Sequence, residues 1–149
     1  MAKRVIMLGI DGFGLEGYQQ AKTPNIDALF ADGVISTTTR TVMPSVTMPN
    51  WTSHLTGGGP EQHGVFGNDW EKEDHSLDPQ EMDEEGYYPS IFKMIVPWMI
   101  KGPGINNGVE LKSPNSNANT SAVVSKLFGI HDTPESWIGR VPSGIFRRE

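Results

Sequence analysis

Residues 41–70, TVMPSVTMPNWTSHLTGGGPEQHGVFGNDW, set the frame for the whole chain. Thr47 precedes Met48-Pro49-Asn50 and a run that reads as a short helix. Pro49 fits the first turn, where its missing N–H costs nothing. The helix is expected to reach about Leu55 and to stop at Gly57-Gly58-Gly59-Pro60. Thr47 then sits at or just before a helix N-terminus, whose free N–H groups and dipole favour an anion or an oxygen about to become one. Two readings are open at this point. Thr47 is a seat for a nucleophile or a phosphate group, or it is an ordinary N-cap.

Upstream, Val34 to Val42 alternates and is rich in Thr, which predicts a strand leading into Met43-Pro44. Thr23-Pro24-Asn25 opens a helix that carries Ile26, Leu29 and Phe30 and ends near Gly33. Before it, Lys3 to Ile10 (KRVIMLGI) reads as a buried strand of a parallel sheet. That strand runs into Asp11-Gly12-Phe13-Gly14. A carboxylate at the C-terminal end of a first strand lies at the edge where α/β sheets bind ligands. Asp-Gly is also a common turn, and that alternative stays open.

Downstream, His63-Gly64-Val65-Phe66-Gly67-Asn68 closes the central stretch. Glu71–Glu85 is an acidic run expected to be a solvated loop. Pro89 to Ile95 begins a helix, and Val96 to Ile100 follows at once as a strand, with Lys101-Gly102-Pro103-Gly104 as a turn. A helix running into a strand with no connecting loop is unusual. Gly108 to Lys112 reads as a further short strand, and Ser121 to Phe128 as a helix stopped by Gly129. The tail from Trp137 to Glu149 shows no clear period, and there is no internal repeat or heptad.

Composition narrows the function classes. The 149 residues are expected to form one domain, and 17 Gly with 11 Pro indicate many turns. A net charge of −6 argues against a nucleic-acid-binding surface. The absence of cysteine removes disulfides, thiolate metal sites and cysteine nucleophiles. No stretch has the apolar length of a membrane span. Val5–Ile10 is too short for the core of a signal peptide. A signal removed beforehand would leave the same picture, and the protein would then be periplasmic or extracellular. Oligomeric state and compartment are otherwise open.

The motifs VIMLGIDGFG, TPNIDALFADG and PSVTMPNWTSHLTGGGPEQHGVFGND resemble the N-terminal part of type I phosphodiesterases/nucleotide pyrophosphatases, of the alkaline phosphatase superfamily. The later VPWMIKGPGINNGVE, SAVVSKLFGI and ESWIGR resemble the last part of the same catalytic domain. The resemblance implies an α/β fold, a three-layer sandwich with a mostly parallel sheet. It implies hydrolysis of a small phosphodiester or nucleotide substrate through a phosphothreonine intermediate. Asp11 would be a ligand of one of two zinc ions. Thr47 would be the nucleophile, its oxygen held on that zinc, and Asn68 would donate to a non-bridging phosphoryl oxygen. These roles suit the chemistry: a Thr hydroxyl needs activation, a carboxylate is a natural zinc ligand, and an amide stabilises charge on phosphorus. Thr in place of Cys or Ser resembles the phosphodiesterase branch more than the sulfatases or the alkaline phosphatases proper. His63 belongs to the recurring HG turn and reads as structural.

The departure from the family pattern is equally specific. Further Asp and His metal ligands would lie between the PSIFKMI helix and the VPW strand, which are fused here at 95/96. The single domain 1–149 therefore reads as an N-terminal block, 1–95, carrying the nucleophile, joined to a C-terminal block, 96–149, across an apparent deletion. His54, His75 and His131 lack metal-site spacing with a second His. The alternative to a hydrolase is thus an internally truncated, inactive scaffold or weak phosphate and metal binder.

Overall fold

The structure, a computed structural model, describes residues 2–68 and 94–147. The acidic run, His75 and most of the helix expected from Pro89 lie outside those residues. The described part is mixed α/β, as expected in outline.

The sheet is built on β1 (Val34–Arg40). Antiparallel β2 (Ile95–Ile100) follows one edge from Val34↔Ile100 to Arg40↔Ile95, with a register shift between Ser36 and Thr39. Two short strands share the other edge, both parallel to β1. β3 (Val109–Glu110) pairs at Val34 and Ile35, and β4 (Asn115–Ser116) at Thr39 and Arg40. The sheet is therefore mixed and its longest ladder is antiparallel, which departs from the expected mostly parallel sheet. Ile95 also differs from expectation: it opens β2 rather than ending a helix, and Val96 follows it in the same strand.

The expected strand Lys3–Ile10 does not form. Residues 3–10 join no ladder, and Ile6 is 92% exposed and Leu8 75%. The reason is a missing partner. A strand apolar on both faces is stable only between two neighbours under covering helices, and both edges of β1 are already taken.

Among the described residues, this core is accompanied by the helices α1 (Leu15–Gln20), α2 (Pro24–Phe30), α3 (Thr47–Thr56), α4 (Pro60–His63) and α5 (Asn119–Leu127). α3 ends as its sequence predicts, with Gly57 left-handed at φ 71° and its N–H on the Ser53 carbonyl. The core is Val34, Trp98, Ile105, Leu111, Val123 and Ile145. The tail that shows no period in sequence closes it. Ile105 bridges Phe146, Asn106 N–H donates to the Ile145 carbonyl, and Arg147 Nε donates to the Ile105 carbonyl at 2.9 Å. Gly139 N–H donates to the Gly57 carbonyl at 3.0 Å, tying the tail to the end of α3. Among the described residues no helix is long and apolar enough to cross a membrane.

Candidate functional site

β1 ends at Arg40, and a short loop delivers the chain to α3. Thr47 is the first helical residue, half-buried, with Val46 in extended conformation before it as the N-cap residue. The cap reading of Thr47 is thereby set aside: Thr47 is inside the helix, and α3 has no side-chain bond from its N-cap residue. A different side chain serves the exposed N–H groups. Asn68 Oδ1 accepts the Met48 N–H at 2.9 Å. Asn68, 20 residues downstream, is thus seated at the α3 N-terminus beside Thr47. With Oδ1 turned to the helix, the amide nitrogen is the remaining hydrogen-bonding end of this side chain.

Asp11 reaches the same helix by another route. It lies in a turn with Gly12, left-handed at φ 68°, and not at the end of a formed strand. Its Oδ1 accepts the Trp51 indole N–H at 3.4 Å, and Trp51 stands one turn beyond Thr47. The ring also lies over Gly9, where a Cβ would meet Trp51 Cη2 at 2.0 Å. Only glycine lets the N-terminal segment approach α3 this closely.

The loop carrying Thr47 is held by Asn50, which the sequence reading did not single out. Asn50 Oδ1 accepts from Val42 N–H at 2.9 Å and from Asn117 Nδ2 at 2.7 Å. Its Nδ2 donates to the carbonyls of Pro44, at 3.1 Å, and Val46, at 2.8 Å. Three of the four bonds end on residues 42–46 and the fourth on Asn117, so the loop geometry just ahead of Thr47 is fixed from inside α3. Asn117, fully buried, belongs to a run of alternating asparagines, NSNAN. Asn115 Nδ2 donates to Thr39 Oγ1 at 2.8 Å, Asn119 Nδ2 to Asn115 Oδ1 at 2.9 Å, and Arg140 N–H to Asn119 Oδ1 at 2.7 Å. That alternation was the available signal, because a polar residue at every second position fits one buried, hydrogen-bonded face.

His63 and His54 are each held by side-chain hydrogen bonds. His63 Nε2 pairs with the buried Ser53 Oγ at 3.0 Å and its Nδ1 accepts the Val65 N–H at 3.2 Å, as the HG turn predicts. Burial moves its pKa below the usual histidine value. His54 Nδ1 is 3.0 Å from Thr120 Oγ1, which also takes the Trp98 indole N–H at 3.0 Å. Burial pushes His54 down to about 4, so its ring is neutral at pH 7. With Nδ1 accepting from the Thr120 hydroxyl, the ring proton belongs on Nε2. His131 is exposed.

The fit to a metal centre can be judged from donors alone. Among the described residues no group of three or more His, Cys, Asp or Glu is arranged to hold a metal ion. Asp11 and Thr47 together offer two ligating side chains, against the three protein ligands of an open catalytic zinc. The described residues do not fit a two-zinc centre.

The sequence profile of type I phosphodiesterases / nucleotide pyrophosphatases matches residues 5–103, two thirds of the chain. The chain belongs to this family. The match includes Asp11, Thr47 and Asn68 and continues through β2. Ectonucleotide pyrophosphatase/phosphodiesterase family member 3 of Mus musculus is similar, 39% identical over 66 residues, which is 43% of this chain and 8% of that protein. The Bos taurus protein of the same name is 41% identical over 66 residues, with the same shares. The chain thus aligns with under a tenth of the length of these relatives. No solved structure matches it at a significant level.

Proposed function

We propose that the N-terminus of α3 is a phosphoryl-binding site of the phosphodiester and pyrophosphate hydrolase kind. The supporting observation is the Asn68–Met48 hydrogen bond, which seats an amide side chain beside Thr47 where helix N–H groups converge. In the full reaction of this kind, the Thr47 oxygen attacks phosphorus and the alcohol or nucleotide oxygen departs. The hydroxyl proton goes to solvent or to the leaving group. Water then cleaves the Thr–O–P bond, releasing the phosphomonoester and restoring the hydroxyl. Asn68 Nδ2 donates to a non-bridging oxygen, and the α3 dipole offsets the charge that builds there. The three-layer sandwich with a mostly parallel sheet is, on this reading, the architecture of the complete catalytic domain, of which the mixed sheet here is a shortened part joined at 95/96.

The donor set favours the second outcome of the same site: phosphoryl recognition without turnover. A Thr hydroxyl is a poor nucleophile at its ordinary pKa, and two protein ligands are too few to hold zinc against water. Loss of one oxyanion donor alone costs ~10²–10³ in rate, and more than one group is short here. The test is hydrolysis of bis-p-nitrophenyl phosphate with and without added zinc, by the parent chain and by Thr47→Ala. We expect rates indistinguishable from background for both. Phosphate binding, followed by NMR of the Asn68 side-chain amide, should weaken in Asn68→Ala. Robust zinc-dependent turnover lost in Thr47→Ala would overturn the inactive reading and establish the hydrolase. Phosphate binding unchanged in Asn68→Ala would overturn the site itself.

A further inference from the structure

Thr47 stands at the end of a short connection, residues 41–46, between β1 and α3. One residue holds both ends of that connection. Asn117 follows β4 and lies two residues ahead of α5. Its backbone N–H donates at 3.0 Å to the carbonyl of Arg40, the last residue of β1. Its Nδ2 donates to Asn50 Oδ1 at 2.7 Å and to the Asn50 carbonyl at 3.4 Å, within the first turn of α3. The strand end and the helix start are thereby fixed against each other by a residue with no exposed surface.

The interior of the connection depends on the same contact. Asn50 Oδ1 also takes the Val42 N–H, and Asn50 Nδ2 serves the Pro44 and Val46 carbonyls. Thr41 Oγ1 and Ser45 Oγ, 2.9 Å apart, close the loop on itself. A side-chain amide has one accepting and one donating end, so only Oδ1 can meet the Asn117 donor. Asn117 thus favours the one orientation of the Asn50 amide that satisfies all three loop groups. Turned over, Asn50 would set its NH₂ against two donors and its oxygen against two carbonyls. Hydrogen bonds linked in this way act as a unit where water is excluded. The loop they shape ends at Val46, and the next residues are Thr47 and Met48, whose N–H seats Asn68.

We propose that Asn117 is a positioning residue of the phosphoryl site. Being fully buried, it does not touch the anion. It acts through Asn50 and residues 41–46, which set the place of the Thr47 hydroxyl and of the Asn68 amide carried on the Met48 N–H. The inference rests on the phosphoryl-binding reading of the α3 N-terminus. It also gives the C-terminal block a part in that site, since Asn117 lies beyond the family match at residues 5–103.

Titration with inorganic phosphate, followed by NMR of the side-chain amides, separates positioning from mere support. In the parent chain the Asn68 and Asn117 signals should shift with one midpoint. The Asn106 amide, bonded to the Gly144 and Phe146 carbonyls, should stay in place. Asn117→Ala should weaken phosphate at least about fivefold. Val123→Ala, which opens a cavity in the core from α5, should leave the affinity within about twofold. Equal weakening by the two variants, or none by Asn117→Ala, would overturn the proposal. So would an Asn117 signal that stays still while that of Asn68 moves, a result the parent gives even if Asn117→Ala does not fold. These outcomes leave the phosphoryl-binding reading standing. A parent whose Asn68 signal ignores phosphate would overturn that reading, and this inference with it.

Discussion

The interior between β1 and α5 and the segment before Asp11 invert the usual relation between polarity and burial. Ser36, Thr39 and Asn117 have no exposed surface, whereas Ile6 and Leu8 have most of theirs exposed. The difference is one of partners. Thr39 meets Asn115 and Asn117 meets Asn50, each at normal hydrogen-bond length, so their desolvation is offset. Ile6 and Leu8 meet little apolar surface among the described residues, and hydrophobicity alone does not bring them inside. Burial in this chain follows the availability of a matching neighbour.

The largest effect should come from breaking the polar interior at its hub. Asn50→Ala removes four hydrogen bonds and strands the Val42 N–H and the Asn117 amide away from water. At about 1–3 kcal/mol for each group left unsatisfied, the loss should be roughly 3–4 kcal/mol in a urea titration. A change below about 1 kcal/mol would mean that water replaces Asn50 readily and that the contrast is overdrawn.

A somewhat smaller effect should follow pH. His54 is neutral in the folded chain, with a pKa of about 4, whereas the unfolded chain titrates near 6.5. A depressed histidine pKa contributes stability that is present above the unfolded value and lost as pH falls towards the folded one. At about 1.4 kcal/mol per unit, roughly 3 kcal/mol should disappear between pH 6.5 and 4. Thr120→Val, which removes the hydroxyl between His54 and Trp98, should destabilise by about 1–2 kcal/mol at pH 7. His54→Gln, followed over the same pH range, should flatten the slope. An unflattened slope would assign the loss to carboxylates instead.

The smallest effect belongs to the exposed segment. Ile6→Ser and Leu8→Ser should each change unfolding free energy by less than about 0.5 kcal/mol, because these side chains lose little contact. A cost above about 1.5 kcal/mol would show that the segment packs in solution and would collapse the contrast between the two regions.

Much of the scaffold around the site was legible in the sequence because its signals are local. Pro49 and Gly57 bracket α3 within a residue or two, Pro24 starts α2, and the Thr-rich alternation marks β1. α1 escaped because LEGYQQ buries no residue and so carries no apolar face to detect. The proximity of Asp11, Thr47 and Asn68 to one helix end followed from the family resemblance and not from periodicity. Asp11 nevertheless arrives in a turn, since strand pairing depends on neighbours the local sequence does not contain. Asn50 and the NSNAN run went unread for a related reason. Polar residues signal burial only when their partners are known, and the pairs Asn50–Asn117 and Thr39–Asn115 each span more than 60 residues.

Trp51 gives the phosphoryl-site reading an optical handle. Its indole N–H ends on Asp11 while its ring lies on Gly9 and tilts against His54, centroids 5.4 Å apart. A cation that takes Asp11 Oδ1 competes with that N–H, and comparison of the parent chain with Trp51→Phe reads the exchange as fluorescence. Occupancy of this corner therefore has an intrinsic optical signal, readable in a chain that turns over no substrate at all.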